Sequence, residues 1–214
     1  VVVKNTERFL LSVPKTKRKK YGQFFTNMST AKFMASLFCF DRSKPCLEIL
    51  DAGAGTGILA TAVIQKLIDD GYKGRIHVTC YETDDFVMPV LEENMRLSTV
   101  LPNVTCSIKT DNYITSQNFS NYTLFGGEDF HYDYIIGNPP YLKTSKDAIE
   151  ALAMPEVCYG APNLYFLFWA MGIHNLKEGQ ELVYIIPRSW TSGAYFKRFR
   201  EYLFRESVLT DIHL

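Results

Sequence analysis

The sequence predicts an α/β fold in which a mostly parallel sheet has helices on both faces. From about residue 46, short runs rich in β-branched residues alternate with amphipathic stretches, which is the pattern of such a sheet. A glycine-rich turn, DAGAGTG at residues 51–57, directly follows the first of these runs and precedes a helical stretch. The chain of 214 residues is 47% hydrophobic and has no net charge, which excludes intrinsic disorder and suits one domain with a sizeable core.

Each element is predicted from the spacing of its apolar residues. A helix at 28–40 precedes the first strand. Short apolar or β-branched runs predict strands at 46–50, 75–81, 104–109, 132–136, 181–186 and 208–214. Stretches with the helical period predict helices at 58–69, 84–97, 163–176 and 195–204. We expect Pro89 to break the second of these helices. Two segments, 112–129 and 143–162, are long for loops of such a fold, and long loops are often functional.

The composition also excludes several classes of protein. No apolar run reaches the roughly 18 residues that a membrane-spanning helix needs, and the N-terminus lacks the apolar core and cleavage site of a signal peptide. The five cysteines are odd in number and never in CxxC spacing, which argues against a disulfide framework or a zinc site. We therefore expect a cytoplasmic protein without a metal. The chain lacks an initiator Met, so we also expect it to be a fragment.

Basic residues are unevenly distributed along the chain. Residues 1–20 hold seven Lys or Arg against one Glu, and residues 188–205 hold five against one. The stretch 21–187 holds 11 basic and 19 acidic residues. Basic patches on an acidic body permit a polyanionic partner, although the basic run from Lys15 to Lys20 is equally typical of a solvated linker.

Four strand ends carry unusual residues, and ligands of open α/β sheets bind beyond the carboxyl ends of the strands. The glycines of residues 51–57 let the backbone turn tightly and approach a ligand. An ordinary turn between a strand and a helix can be equally rich in glycine. Glu82, after the second strand, can accept from ribose hydroxyls or be a solvated acid. Asp111, after the third strand, can accept from an adenine amino group, although Asp is also common in turns.

The tetrapeptide NPPY at residues 138–141 ends the fourth strand and is the most informative of the four. Two consecutive prolines fix the backbone. They hold the Asn138 side chain and the Pro139 carbonyl as two preset acceptors, with the aromatic face of Tyr141 beside them. Two acceptors and a stacking surface suit a planar group that bears an NH2, such as a nucleobase or an amide.

Together these motifs resemble those of class I S-adenosylmethionine-dependent methyltransferases, which have a Rossmann-like sheet. More narrowly, they resemble gamma-type N6-adenine DNA methyltransferases of restriction–modification systems, the TaqI-like and Eco57I-like group, over about residues 21–214. DAGAGTG matches the cofactor loop and NPPY the catalytic motif. YGQFFT at residues 21–26 resembles the motif that closes over the cofactor, and the order of the three motifs is the gamma order.

The resemblance implies a role for each of these residues. The residues implied to hold the cofactor, S-adenosyl-L-methionine, are Thr26, Asp51, Ala52, Gly53, Gly55, Glu82, Asp111, Pro140 and Phe168. Of these, Glu82 would hold the ribose and Asp111 the adenine, with the glycine loop and Thr26 at the methionine end. Asn138 and the Pro139 carbonyl would accept the two N6 hydrogens of an adenine flipped out of the duplex, on which Tyr141 would stack.

The resemblance also implies a domain organisation and partners. Residues 1–45 would form a basic segment and helix with the cofactor-closing motif, and residues 46–214 the catalytic domain. The group normally continues into a strand hairpin and a target-recognition domain, both of which we expect to be missing here. The expected partners are double-stranded DNA, and a restriction or specificity subunit or a C-terminal target-recognition domain. The expected location is the cytoplasm of a bacterium or archaeon, without a membrane.

Other functions stay open at this point. NPPY also serves enzymes that methylate a glutamine amide of proteins at N5, or an amino group of ribosomal RNA. A dinucleotide-dependent oxidoreductase would use the weak match of Gly55, Gly57 and Ala60 to a dinucleotide-binding fingerprint, but leaves NPPY unexplained. A catalytically silent scaffold is disfavoured by the presence of both Asn138 and Tyr141.

Overall fold

Five strands form a parallel sheet in the computed structural model, which describes residues 1–12, 25–117 and 131–214. They are β1 (Cys46–Ala52), β2 (Arg75–Tyr81), β3 (Val104–Lys109), β4 (Tyr132–Gly137) and β5 (Leu176–Tyr184). The strand order is β3-β2-β1-β4-β5, with every neighbouring pair parallel. The order reverses between β1 and β4, and ligands of such sheets bind at the carboxyl ends of the strands at that point.

Helices cover both faces of this sheet, as the sequence predicts. In chain order they are α1 (Val2–Ser12), α2 (Met28–Ser36), α3 (Ile58–Asp69), α4 (Met88–Ser98), α5 (Ile149–Ala153), α6 (Leu164–Asn175) and α7 (Lys197–Glu206). Side-chain caps fix the start of two of them: Asn27 accepts from the Thr30 amide before α2, and Asn163 accepts from the Tyr165 amide before α6. Among the described residues, no helix is long and apolar enough to cross a bilayer.

Two hydrophobic cores lie on opposite faces of the sheet because successive strand side chains point in opposite directions. Leu47 and Ile49 of β1 belong to the core that packs against α2, α3 and α4. Leu50 and Ala52 of the same strand belong to the other core, which packs against α6 and α7. The central strands are therefore buried on both sides, which is typical of parallel sheets.

The predicted strand at 208–214 is wrong. Residues 207–214 have no regular secondary structure, and Val208, Ile212 and Leu214 are exposed. A segment with apolar alternation forms a strand only where a neighbouring strand pairs with its backbone. No described strand pairs with residues 208–214.

The structure also moves several predicted boundaries. The break predicted near Pro89 is wrong, because α4 starts at Met88 and places Pro89 in its first turn, where a missing N–H costs little. Helix α2 ends at Ser36 rather than at residue 40. Strand β5 starts at Leu176, directly after α6, rather than at residue 181. Helix α1 lies in a segment for which the sequence predicted no helix.

Candidate active site

A cavity of about 710 Å³ opens at the carboxyl ends of β1, β2, β3 and β4. The predicted site residues that line it are Gly53, Gly55, Glu82, Asp111, Asn138, Pro140 and Phe168. A small recess of about 30 Å³ brings together Thr26, Gly53 and Asn138. The fold thus gathers these residues from six parts of the sequence in one place, namely the four strand ends, the segment before α2, and α6.

The glycine loop after β1 takes a conformation that only glycine adopts easily. Gly53 has φ +74°, and a Cβ there would lie 3.6 Å from the Phe168 ring and 4.0 Å from Pro140. The loop is tied to β2 by two backbone donors: the Ala54 amide bonds the Tyr81 carbonyl at 2.8 Å, and the Gly55 amide bonds Glu82 Oε2 at 2.9 Å. The missing side chain leaves the space between Phe168 and Pro140 open.

Glu82 holds the loop and also lines the cavity. Besides the bond from Gly55, its Oε1 accepts from the amides of Thr83 at 2.8 Å and Asp84 at 2.9 Å. Its side chain is largely buried, and burial raises the pKa of this carboxyl above its ordinary value, although the three backbone bonds act in the opposite direction. Most of the acceptor capacity of Glu82 is therefore used by the backbone around it.

Asp51 and Ala52 end β1 beneath the loop and lie outside the lining of the cavity. Both are fully buried. Asp51 Oδ2 accepts from the Ala60 amide of α3 at 3.0 Å, while Oδ1 is buried without a hydrogen-bond partner among the described residues. Burial raises the pKa of Asp51 to about 7, and the nearby charge of Glu82 adds to the effect. One carboxyl oxygen of Asp51 is therefore buried beneath the loop without a hydrogen-bond donor among the described residues.

Asn138 follows β4, and its amide is held from both sides. Its Nδ2 donates to Thr26 Oγ1 at 3.0 Å, and its Oδ1 accepts from the Tyr141 hydroxyl at 2.8 Å. The Tyr141 hydroxyl has a second acceptor within reach, the Ile185 carbonyl at 3.0 Å. Burial raises the pKa of Tyr141 to about 12, so this hydroxyl keeps its proton at neutral pH. Pro139, between them, is buried.

Carboxylates dominate the charged lining of the cavity. Besides the predicted Glu82 and Asp111, the lining includes Asp84, Asp85 and Glu150. Among the described lining residues there is no Lys, Arg or His. A cavity of this kind attracts a cationic ligand and disfavours one that carries phosphate groups.

Sequence reasoning missed part of this lining, for different reasons. Asp84 and Asp85 follow Glu82 at the same strand end, so their position was a usable signal. Glu150 reaches the cavity from the long segment 143–162 after NPPY; the length of that segment was a signal, but nothing in the sequence singles out Glu150 within it. There the Asn112 Nδ2 donates to Glu150 Oε1 at 2.8 Å, which joins two parts of the chain 38 residues apart.

Aromatic rings supply the apolar walls. Phe168 packs against Tyr113 with ring centroids 5.4 Å apart, and both line the cavity. Phe25 and Phe86 line it as well. Of the YGQFFT motif, the structure describes Phe25 and Thr26; residues 21–24 and the basic run at 15–20 lie outside the described residues.

The chain is similar to known proteins both in sequence and in fold. A family model described as Eco57I restriction-modification methylase matches residues 16–214. The Type II methyltransferase M.PstI of Providencia stuartii is 34% identical over 207 residues, which are 95% of this chain and 40% of that protein. The Type II methyltransferase M.BsuBI of Bacillus subtilis is 31% identical over 200 residues, 92% of this chain and 40% of that protein. The chain thus spans about two fifths of the length of these two relatives.

Two further matches bear on the alternatives. A release factor glutamine methyltransferase of Fusobacterium nucleatum is 33% identical over 137 residues, 63% of this chain and 32% of that protein. The methyltransferase subunit of a type I restriction-modification system from Streptococcus thermophilus has a similar fold, with a TM-score of 0.64 and 18% identity over 85% of this chain and 38% of that one. The predicted class I methyltransferase fold is confirmed.

Proposed function

Because the chain belongs to the family of Eco57I restriction-modification methylases, we propose that it methylates N6 of an adenine flipped out of double-stranded DNA, within a restriction–modification system. The observation that carries this proposal is Asn138, whose amide lies at the edge of an acidic cavity with its orientation fixed by Thr26 and Tyr141. An amide fixed in this way is an acceptor prepared for an NH2 group.

The cavity fits S-adenosyl-L-methionine, the cofactor that the family and the class I fold imply. When bound, this cofactor supplies an electrophilic methyl group on a positively charged sulfur. The carboxylates of the lining suit its positive charge, and the open space above Gly53, between Phe168 and Pro140, suits a flat or narrow group. Asp51, buried beneath the glycine loop, would add a negative charge close to the site of a cationic ligand without contacting it.

The family resemblance implies which part of the lining holds each end of the cofactor. Asp111, Phe168 and Tyr113 would hold the adenine end, and Glu82 the ribose. Thr26 and the glycine loop would hold the methionine end, at the recess that also contains Asn138. In this arrangement the reacting end of the cofactor would lie towards Asn138.

The proposed reaction requires the chain to orient one amine, the N6 group of the adenine. Asn138 Oδ1 and the Pro139 carbonyl would accept the two hydrogens of N6, which localises the nitrogen lone pair and aims it at the methyl group. Tyr141 would stack on the flipped base. Its hydroxyl occupies Asn138 Oδ1 at 2.8 Å but also reaches the Ile185 carbonyl at 3.0 Å, so it can release Oδ1 to the substrate and keep a hydrogen bond.

The alternatives fit less well. A glutamine amide presents a similar NH2, but the match to a glutamine methyltransferase covers 63% of the chain, whereas the match to the restriction-modification family covers residues 16–214. A dinucleotide cofactor would place a pyrophosphate among five carboxylates, without a basic side chain among the described lining residues.

Two basic side chains near the C-terminal end of the described chain are engaged within the fold. Arg198 and Arg200 of α7 donate to backbone carbonyls of Cys158, Trp190 and Gly193, so these cations are used within the fold. We therefore propose that target recognition depends on a separate target-recognition domain, or on a restriction or specificity subunit.

The test uses the protein in its own host, with the gene either intact or carrying Asn138→Ala. We expect N6-methyladenine at one short motif of the intact strain's genome and its complete loss in the variant strain, because Asn138 contacts the amine whose charge changes in the reaction. The readout is mass spectrometry of digested DNA together with mapping of the modified positions. Unchanged adenine methylation, or the loss of a methylated glutamine from a protein instead, would refute the proposal.

A further inference from the structure

Helix α1 is joined to the candidate cofactor site although it lies outside the family match, which begins at residue 16. Three of its side chains, Val2, Thr6 and Phe9, share one helix face because they are spaced four and three residues apart. Val2 and Thr6 are buried. The face is therefore packed against the rest of the chain rather than exposed to solvent.

The first link is a buried polar network that ends on the glycine loop. Thr6 Oγ1 donates to Thr56 Oγ1 at 3.1 Å, and Asn94 Nδ2 of α4 lies 3.3 Å from Thr6 Oγ1 and 2.9 Å from the Thr56 carbonyl. Asn5 Nδ2 donates to Asn94 Oδ1 at 3.1 Å. Thr56 stands between Gly55 and Gly57, which both have positive φ. Thr56 is thus held in place through both its hydroxyl and its carbonyl.

The second link is aromatic and reaches the wall of the cavity. The Phe9 ring lies 5.8 Å from the Phe25 ring and 5.7 Å from the Phe86 ring, measured between centroids. Phe25 and Phe86 both line the cavity, yet they come from different segments of the chain. Phe9 therefore packs against both of them.

We infer that α1 is a positioning element of the cofactor site, in which Thr6 fixes the glycine loop and Phe9 fixes the aromatic wall formed by Phe25 and Phe86. The inference rests on the proposed function for the identity of the ligand. A loop that must approach a ligand with its backbone binds it most tightly when it is held in the bound conformation beforehand. Helix α1 would supply that restraint from residues that precede the family match.

The test compares Thr6→Val with Thr6→Ser, and Phe9→Ala with the wild type. Valine keeps the shape of threonine but removes the hydroxyl, whereas serine restores it. We expect Thr6→Val and Phe9→Ala each to weaken S-adenosyl-L-methionine binding by roughly five- to tenfold in calorimetry, and Thr6→Ser to bind nearly as the wild type does. In the cofactor-free protein, hydrogen exchange of the glycine-loop peptide should accelerate in Thr6→Val and not in Thr6→Ser.

Two control variants separate positioning from general stability. Leu11→Ala changes an exposed side chain of the same helix, and Phe199→Leu weakens the core on the other face of the sheet; neither should change the affinity or the loop exchange. Wild-type affinity and loop exchange in Thr6→Val and Phe9→Ala would overturn the inference, as would equal losses in Phe199→Leu. If the wild type bound no S-adenosyl-L-methionine, the proposed function would fail, and the loop-exchange comparison would still decide the role of α1.

Discussion

The stability of the fold and the proposed cofactor site favour opposite protonation states of the Asp51 carboxyl group. It is fully buried, and its pKa is raised from 3.8 to about 7 because burial disfavours the charged form. A cationic ligand would favour that charged form. The folded chain without its ligand binds the Asp51 proton more tightly than the unfolded chain does, so Asp51 contributes most to stability below about pH 4.

Asp51→Asn tests this conflict. The wild type should lose stability as the pH rises from about 4 to about 7, by at most roughly 4 kcal/mol, and the neutral Asn should not. The variant should therefore gain stability relative to the wild type between pH 5 and pH 8, measured by denaturant unfolding. Its affinity for S-adenosyl-L-methionine should fall, by roughly 1–2 kcal/mol, because the variant lacks the buried charge that favours a cationic ligand above the loop. A stability difference that does not depend on pH would contradict this account of Asp51.

Individual site residues could be predicted from the sequence where a strand end or a rigid motif presents them. Glu82 and Asn138 follow strands directly, Asp111 lies two residues after one, and all three line the cavity. Asp51 was expected to meet the cofactor, but the structure places it beneath the loop, outside the lining. Asp51 lies deeper in the fold than the lining residues. The order of residues along the chain does not show which of several neighbours at a strand end faces the ligand.

At the scale of elements, the segment between NPPY and α6, residues 142–163, leaves the sheet after β4 and leads into α6, and we call it the excursion. Two backbone hydrogen bonds where its two ends meet form its base. The Thr144 amide donates to the Pro162 carbonyl and the Leu164 amide to the Leu142 carbonyl, each at 2.8 Å. The excursion carries the short helix α5, whose Glu150 enters the cavity and accepts from Asn112. The base thus holds Glu150 next to Asn112, in the segment that follows β3.

Glu150→Ala should weaken S-adenosyl-L-methionine binding by about fivefold, because Asn112 loses the partner that fixes it beside Asp111. Glu150→Gln keeps an acceptor for Asn112 and should recover much of the affinity in calorimetry. Lys146→Ala, an exposed change in the same excursion, is the control and should bind normally. Normal binding by Glu150→Ala would show that the excursion does not shape the site.

The elements themselves were largely predictable from apolar spacing, and the failures have physical causes. The boundaries of α3, β2 and β3 agree with the sequence prediction. The segment 143–162 was recognised as long for a loop, but its role depends on a contact between residues far apart in sequence, which periodicity does not reveal. Residues 208–214 have the alternation of a strand but no described partner strand.

At the scale of the whole molecule, a formal net charge of zero hides a strong local field. The sequence already shows that residues 21–187 hold 19 acidic and 11 basic residues. The structure concentrates five of these acids in one cavity, as the fold brings together the ends of β2 and β3 and the excursion that carries Glu150. Composition could indicate an acidic body, but only the topology determines where the acids meet.

The most direct test of the account is calorimetry of the wild-type chain with S-adenosyl-L-methionine, S-adenosylhomocysteine and NADH at two salt concentrations. The first ligand carries one more positive charge than the second, and the third carries a pyrophosphate. We predict that S-adenosyl-L-methionine binds more tightly than S-adenosylhomocysteine, that added salt narrows this difference by screening the carboxylates, and that NADH does not bind. Binding of NADH in this cavity, or no binding of S-adenosyl-L-methionine, would contradict the account.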